Sequence, residues 1–488
     1  MSRGRVYLVG AGPGDPELLT LKGKRALESA DAVLFDHLAN EDLLRHAPPT
    51  ADRIYVGKKK ADHALSQDEI GRLLVERARA GETVVRLKGG DPYLFGRGGE
   101  EVEALSAAGI PFEVVPGVTV PVGLAAYTGV PLTHREHTSV LTFVTGHDPS
   151  RIDWSNVSGC ETIVIFMGLT TLGDIASRLI AAGRNPQTPA MAVRWATRPT
   201  QQTIVAPLAE IAERVHEAGM KPPATIVIGD VVGLRDRLAW FEKLPLFGQR
   251  VVVTRAADQA GSLARLLTEA GAEAVELPVI ALEPVEDMNA LLGISSYDWL
   301  VFTSVNGVRY FVEAMDRLRV DIRRWPPRVA AIGPATAEAI GRLHVKVDVV
   351  PESFVAEGLA AAFERFDMNG RKVLLARASE GRDVVPEALR QRGARVDIVE
   401  TYRNVVPPDA PALAREVFAH EPDWVTFTSG STVKNLLSMV DRNALAGVRF
   451  ASIGPATSEV MRKHGLSVHA EAEPHTIEGL VAAMILRR

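Results

Sequence analysis

The stretch VYLVGAGPGDPELLT, Val6 to Thr20, constrains the architecture of this chain more than any other. Apolar residues run straight into a loop with glycines at positions 10, 12 and 14, as in a buried strand that ends in a ligand loop. Short apolar runs and amphipathic stretches then alternate along the whole length. AVLF (32–35), TVVRL (83–87), TIVIFM (162–167) and ATIVIG (224–229) read as strands. Ser66–Ala80 and Asp174–Ala182 read as helices, the second closed by Gly183. Strands alternating with helices predict an α/β protein.

At 488 residues, two large domains or about three smaller ones are expected. A proline and a glycine in EKLPLFGQR, Glu242 to Arg250, precede a fresh strand start, which sets the domains at 1–245 and 246–488. After this break the chain repeats itself. VVVTRA from Val251 returns as VLLARA from Val373, and Gly271 as Gly393. FTSVNGVRYF from Phe302 returns as FTSGSTVKNL, and IGPATAEAI from Ile332 as IGPATSEVM, all at offsets of 121–125 residues. Two similar α/β lobes follow. A duplication without a shared site fits this pattern, but Ser and Thr at matching loop positions favour two facing binding surfaces.

A dinucleotide fingerprint would place a third glycine at position 15, where this chain has Asp15. The loop reads either as a tight turn that excludes a Cβ or as a ligand cradle. No basic residue lies between positions 10 and 21, and Asp15 and Glu17 would repel a phosphate. A nicotinamide-dependent oxidoreductase would rest on this loop alone, and both features count against it. A ligand without phosphate, carrying positive charge, suits the loop better. VVRLKGGDPYLFGRGGEE, Val84 to Glu101, is a second strand ending in glycines and an acid, Asp91. Gly-Asp-Pro is strong turn chemistry, yet ligands of open α/β sheets collect at the carboxyl ends of strands. There Asp91 would accept hydrogen bonds from an ammonium group or hydroxyls.

The net charge of −5 argues against general affinity for nucleic acid or anionic membranes. A single cysteine, Cys160, excludes an internal disulfide, a cysteine zinc site and an iron–sulfur cluster. No run approaches the roughly eighteen apolar residues of a membrane span, and Val6–Val9 is too short for a signal peptide's apolar region. A soluble, cytoplasmic protein without metal is expected.

The motifs VGAGPGDPELLTLKG, RLKGGDPYLFGRGGEE, VVPGVT, GVPLTHR and FVTGH, in this order from about residue 3 to 243, resemble the uroporphyrinogen-III C-methyltransferases of the tetrapyrrole methylase family. The resemblance implies S-adenosyl-L-methionine as cofactor, whose sulfonium and ammonium groups match the charge reading. It places Pro13, Gly89, Gly90, Asp91, Leu94, Thr119, Val120, Met167 and Ala196 at the cofactor. Val120 stands where alanine is usual, and Ala196 where glycine is usual. By residue type alone Asp36 is a loop or capping acid, and Lys58 part of the basic run Lys58–Lys60; the resemblance makes them proton acceptor and donor. It further implies a homodimer through this domain. Porphyrinogens carry several carboxylates, so Lys58–Lys60, Arg86, Lys88, Arg97, His134 and Arg135 are candidate substrate contacts, or plain surface charge.

The repeat half resembles uroporphyrinogen-III synthase through VVVTRAADQAGSLARLLTEAGAEAVELPVI, FTSVNGV, FVAEGL and the paired IGPAT. That family's fold implies two lobes joined by crossing strands, here near Glu276–Leu282 and Val399–Val405. The implied reaction cyclises hydroxymethylbilane to uroporphyrinogen III with loss of water. The family's candidate tyrosine falls on Tyr402, which reads equally as a packing residue at the second crossover. Ser304, Thr336, Ser429 and Thr457 read as carboxylate contacts or as helix caps. Together the halves imply a bifunctional enzyme with hydroxymethylbilane and uroporphyrinogen III as substrates and precorrin-2 as product, and the fusion suggests direct handover. The alternative is an active methyltransferase carrying a non-catalytic tetrapyrrole-binding module.

Overall fold

The computed structural model describes residues 4–57 and 65–487. Residues up to Arg250 with Leu267–Glu273 form one compact unit, and Val251–Leu266 with Ala274–Arg487 form a second.

The first unit begins with β1 (Arg5–Gly10), β2 (Ala32–Phe35), β3 (Asp52–Tyr55), β4 (Thr83–Lys88) and β5 (Phe112–Val115). They form one parallel sheet in the order β3-β2-β4-β1-β5. Both faces are covered, which is why VYLV of β1 and AVLF of β2 read as unbroken apolar runs. Alternation splits them between two cores. Val6, Leu8, Ala32, Leu34 and Val84 pack with Ile70, Leu74 and Leu105 from the helices Gln67–Arg79 and Gly98–Ala107. Val9, Val33, Phe35, Val85 and Leu87 face the opposite way. The helix expected at Ser66–Ala80 starts on a capping box in which Ser66 and Glu69 satisfy each other's backbone N–H groups.

A second sheet contains β6 (Leu141–Thr145), β7 (Thr162–Phe166), β8 (Pro189–Arg194), β9 (Gln202–Pro207) and β10 (Ala224–Ile228), in the order β6-β7-β10-β8-β9. It is mixed, because β10 runs antiparallel to both neighbours. β7 stops one residue before the TIVIFM run does, where Met167 turns to a φ of +53°.

The second unit carries two sheets. β11 (Arg250–Val253), β12 (Glu273–Glu276), β13 (Ala281–Pro284), β14 (Trp299–Phe302) and β15 (Arg328–Ala331) come first in the chain. β16 (Lys372–Ala378), β17 (Arg395–Val405), β18 (Trp424–Phe427), β19 (Arg449–Ser452) and β20 (Ala470–Glu471) follow. The sheet orders are β12-β11-β18-β19-β20 and β13-β17-β16-β14-β15. The chain leaves the first of these sheets after Glu276 and enters the second at Ala281. Residues 399–405 lie in the long β17, whose start pairs in parallel with β16 and whose end pairs antiparallel with β13. The FTS and IGPAT repeats occupy equivalent strand-to-helix joints: β14 and β18 lead into helices capped by Ser304 and Ser429, β15 and β19 into Pro334–Gly341 and Pro455–Lys463.

Among the described residues, no helix is long and apolar enough to cross a membrane.

Candidate active site

Three loops of the first unit lock together at the carboxyl end of the parallel sheet. Gly12 and Gly90 exchange backbone hydrogen bonds, Gly90 N to Gly12 O at 2.7 Å and Gly12 N to Gly90 O at 3.2 Å. Both have positive φ, +78° and +66°, which favours glycine at these positions. The loop after β5 joins them through Gly117, where a Cβ would lie 2.7 Å from Gly10 Cα. Backbone here packs on bare backbone. Pro13 lies against Gly123 of the helix Val120–Thr128, and Val120 lies beside Gly90. Thr119 occupies the cap position of that helix without a side-chain cap bond. The backbone N–H of Asp15 donates to Thr197 Oγ1 at 2.9 Å, which brings the buried Ala196 to the same rim. Phe95, Arg97, Met167, Trp195 and Thr197 all have φ between +50° and +69°. Such strained residues cluster at functional sites.

The two loop acids serve the loops themselves. Asp15 Oδ1 accepts the Glu17 N–H at 2.8 Å, and Oδ2 accepts the Tyr127 hydroxyl at 2.5 Å. Burial and then this bond push the Tyr127 phenol above its usual range. Asp91 Oδ1 accepts the N–H groups of Tyr93 and Leu94 at 2.8 and 3.3 Å, and Oδ2 that of Gly117 at 3.1 Å. Asp91 therefore staples the second loop to the third through three backbone donors. Tyr127, Thr197, Gly117 and Gly123 were not singled out from the sequence. VVPGVT contains Gly117, but only the fold sets it against Gly10.

Alternation in β2 and β4 carries Asp36, Arg86 and Lys88 onto the face of Leu34 and Val84, under the two covering helices. Arg86 and Lys88 are buried rather than offered to a substrate, which corrects the expectation for both. Arg86 Nη2 donates to Asp36 Oδ2 at 2.8 Å, and Arg86 Nε to Glu101 Oε1 at 3.2 Å. Lys88 Nζ donates to the same Glu101 oxygen at 2.9 Å. Asp36 keeps a fifth of its side chain exposed. Burial raises its pKa, but Arg86, the Leu38 N–H and Lys88 together bring it below the ordinary 3.8. Asp36 is thus an ionised carboxylate held at the edge of a buried ion cluster. For Lys88, burial and then the Arg86 charge lower the pKa against the pull of Glu101.

The remaining expected residues divide. Leu94 sits on the Asp91 turn, and Phe95 beside it meets Phe166 of β7 at a ring separation of 4.9 Å, which draws the end of β7 and the half-exposed Met167 towards that turn. Gly89 lies between the buried Lys88 and Gly90. Arg97 is exposed and paired with Glu100 at 3.0 Å, and Arg135 is exposed in the turn between His134 and Thr138. Lys58 lies outside the described residues. His134, Glu136 and His137 bring possible metal-ligand atoms within 4.8 Å of one another. However, His134 Nδ1 accepts the Glu136 N–H at 3.2 Å. That is the reverse of a metal-bound imidazole, which donates from its second nitrogen.

In the second unit Tyr402 is buried, stacked on Tyr310 with ring centroids 5.5 Å apart. Its hydroxyl lies 3.2 Å from Ser304 Oγ, so the structure brings these two candidates together. Ser304 Oγ also accepts the Gly307 N–H at 2.9 Å, and Ser429 Oγ that of Thr432 at 3.3 Å, so both hydroxyls serve as helix caps. Thr336 and Thr457 are buried in the first turns of their helices. One further repeat emerges: Phe354 packs over Gly333 as His475 packs over Gly454, both pairs 121 residues apart. The shared EGL of SFVAEGL and HTIEGL was the signal for it.

A model of the tetrapyrrole (corrin/porphyrin) methylases matches residues 5–212, and one of uroporphyrinogen-III synthase HemD matches residues 261–482. The porphyrin biosynthesis protein HemD of Ruminiclostridium josui is 35% identical over 496 residues, covering 99% of this chain and 98% of that protein. The uroporphyrinogen-III C-methyltransferase of Bacillus subtilis is 41% identical over 339 residues, covering 68% of this chain and 70% of that protein. The crystal structure of uroporphyrin-III C-methyl transferase from Thermus thermophilus, complexed with S-adenyl homocysteine, is 46% identical, with a TM-score of 0.42, covering 47% of this chain and 100% of that one. The chain belongs to the family in which a tetrapyrrole methylase is joined to a HemD-type uroporphyrinogen-III synthase.

Proposed function

We propose that the protein is a bifunctional enzyme of tetrapyrrole biosynthesis. Its second half closes hydroxymethylbilane to uroporphyrinogen III, and its first half methylates that product twice to precorrin-2. Membership of the joined family supports the pairing, because the product of one half is the substrate of the other. The observation that carries the methyl-transfer reading is the interlocked set of glycine loops, with its backbone bare and no cation between residues 10 and 21. Such a cradle fits S-adenosyl-L-methionine, which when bound supplies an electrophilic methyl group on a cationic sulfur. Pro13, Gly89, Gly90, Leu94, Thr119, Val120, Met167 and Ala196 would line it, with Asp91 holding its shape.

The chain's own task is to hold the pyrrole carbon in line with that methyl group, and positioning of this kind can lower a barrier by ~7–11 kcal/mol at its upper end. Asp36, ionised and partly exposed, would take the proton that the alkylated ring gives up. Lys58 is the proposed proton donor, and Arg97 and Arg135 the proposed contacts for substrate carboxylates. In the second half, Tyr402 is the proposed catalytic residue, with Ser304 beside it. Ser429, Thr336 and Thr457 would bind carboxylates through the backbone N–H groups of the helix starts they occupy.

Incubating the full chain with hydroxymethylbilane and S-adenosyl-L-methionine tests the proposal. A dimethylated product is expected; its absence refutes the pairing.

A further inference from the structure

We infer that Glu101 is a positioning residue for methyl transfer, fixing the Asp36 carboxylate through Arg86. The inference rests on the proposed role of Asp36 as proton acceptor.

Glu101 lies in the first turn of the helix Gly98–Ala107 and is only 1% exposed. An acid there helps a helix from an exposed position, so the helix does not require its burial. Taking a carboxylate out of water is costly unless its partners are well placed. Three donors converge on one oxygen, Oε1: Arg86 Nε at 3.2 Å, Lys88 Nζ at 2.9 Å and Gln67 Nε2 at 2.8 Å. The other oxygen, Oε2, is buried without a hydrogen-bond partner among the described residues. A carboxylate with one lone oxygen is a poor stability device. It is an effective anchor for whatever sits on the loaded side.

That side holds Arg86. All three of its guanidinium nitrogens are engaged: Nε with Glu101, Nη1 with the carbonyls of Leu87 at 2.9 Å and Leu34 at 3.4 Å, and Nη2 with Asp36 at 2.8 Å. Glu101 grips the guanidinium plane through Nε, and Asp36 is held through Nη2. The remaining Asp36 oxygen accepts the Leu38 N–H at 3.0 Å, so the carboxylate has one orientation. Among the described residues, charges balance across the cluster, two cations against two anions. Neutralising Glu101 leaves Asp36, among the described residues, as the one anion for these two buried cations and frees the far edge of the fork that aims it.

A purely structural ion cluster makes a different prediction. Its loss would lower stability and act on the rate independently of Asp36. The two are separated by a double-mutant cycle on the full chain, reading kcat and KM for methyl transfer to uroporphyrinogen III. Calorimetric titration with S-adenosylhomocysteine checks that each variant is folded. Glu101→Gln is expected to lower kcat by at least about tenfold, with KM for the methyl donor within about twofold of wild type. In an Asp36→Asn background the same change is expected to alter kcat by less than about twofold. Equal losses in both backgrounds, or wild-type kcat for Glu101→Gln, overturn the inference. If Glu101→Gln fails to bind the by-product, Gln67→Leu takes its place. It removes one tether of Glu101 from a half-buried helix start, with an expected two- to fivefold loss, roughly, that vanishes in Asp36→Asn. Wild-type kcat in Asp36→Asn alone would overturn the proton-acceptor reading as well, whereas additivity overturns only that of Glu101.

Discussion

At the scale of single residues, Asp36 is an ionised carboxylate with a fifth of its side chain exposed, and its lowered pKa sets a sign. Burial opposes ionisation, and Arg86, the Leu38 N–H and Lys88 together more than offset it. The pair contributes stability that is present above the ordinary carboxylate pKa of 3.8 and is lost as pH falls through the lower folded-state value. Arg86→Gln removes the strongest of the groups that oppose burial, so the acid limb of kcat for methyl transfer should move to higher pH. A limb that stays in place in a pH–rate profile would dissociate Asp36 from the proton step. Asp36→Asn should lower kcat by about 10²–10⁴ with donor affinity unchanged by calorimetry. Asp91 behaves differently, because its carboxylate holds three backbone N–H groups. Asp91→Ala should cost about 1–3 kcal/mol in chemical unfolding and weaken donor binding, without a change in the pH profile.

Elements meet at backbone contacts that leave no room for side chains. At Gly117 a Cβ would lie 2.7 Å from Gly10 Cα, so Gly117→Ala must push the loop after β5 away from β1. A loss of more than about 2 kcal/mol is expected, together with loss of donor binding. Gly99→Ala is the control: nothing lies within 4 Å of its would-be Cβ, and it sits in a helix, so stability should hold within about 1 kcal/mol. In the second unit, Tyr402→Phe keeps the stack on Tyr310 and removes only the hydroxyl beside Ser304. A fall in cyclisation rate with little change in melting temperature is expected if that hydroxyl acts in the reaction. An unchanged rate would assign Tyr402 to packing alone.

For the whole molecule the proposal requires two separable activities in one chain. Supplied with hydroxymethylbilane and no methyl donor, the full chain should accumulate uroporphyrinogen III. Supplied with uroporphyrinogen III and the donor, it should form the dimethylated product without a cyclisation step. Failure of the first with success of the second would favour a non-catalytic second half. Much of this plan was legible in the amino-acid order. An apolar run ending in glycines marked β1, because a strand covered on both faces is mostly apolar. The same glycine ending marked β4, although Arg86 and Lys88 lie on one of its faces. The offsets of 121–125 residues marked two equivalent lobes, since each matched block is a strand-to-helix joint. The missing third glycine and absent cation indicated what kind of ligand to exclude. Which partners the polar groups of these loops and strands take was decided only by tertiary structure. Asp15 meets Tyr127 across 112 residues, Asp91 meets Gly117 across 26, and Arg86 meets Asp36 across 50. Strand order and register choose such partners, and neither is written in local spacing. A hydrogen bond depends on where two atoms end up, whereas a strand or a repeat depends only on the order in which residues follow one another.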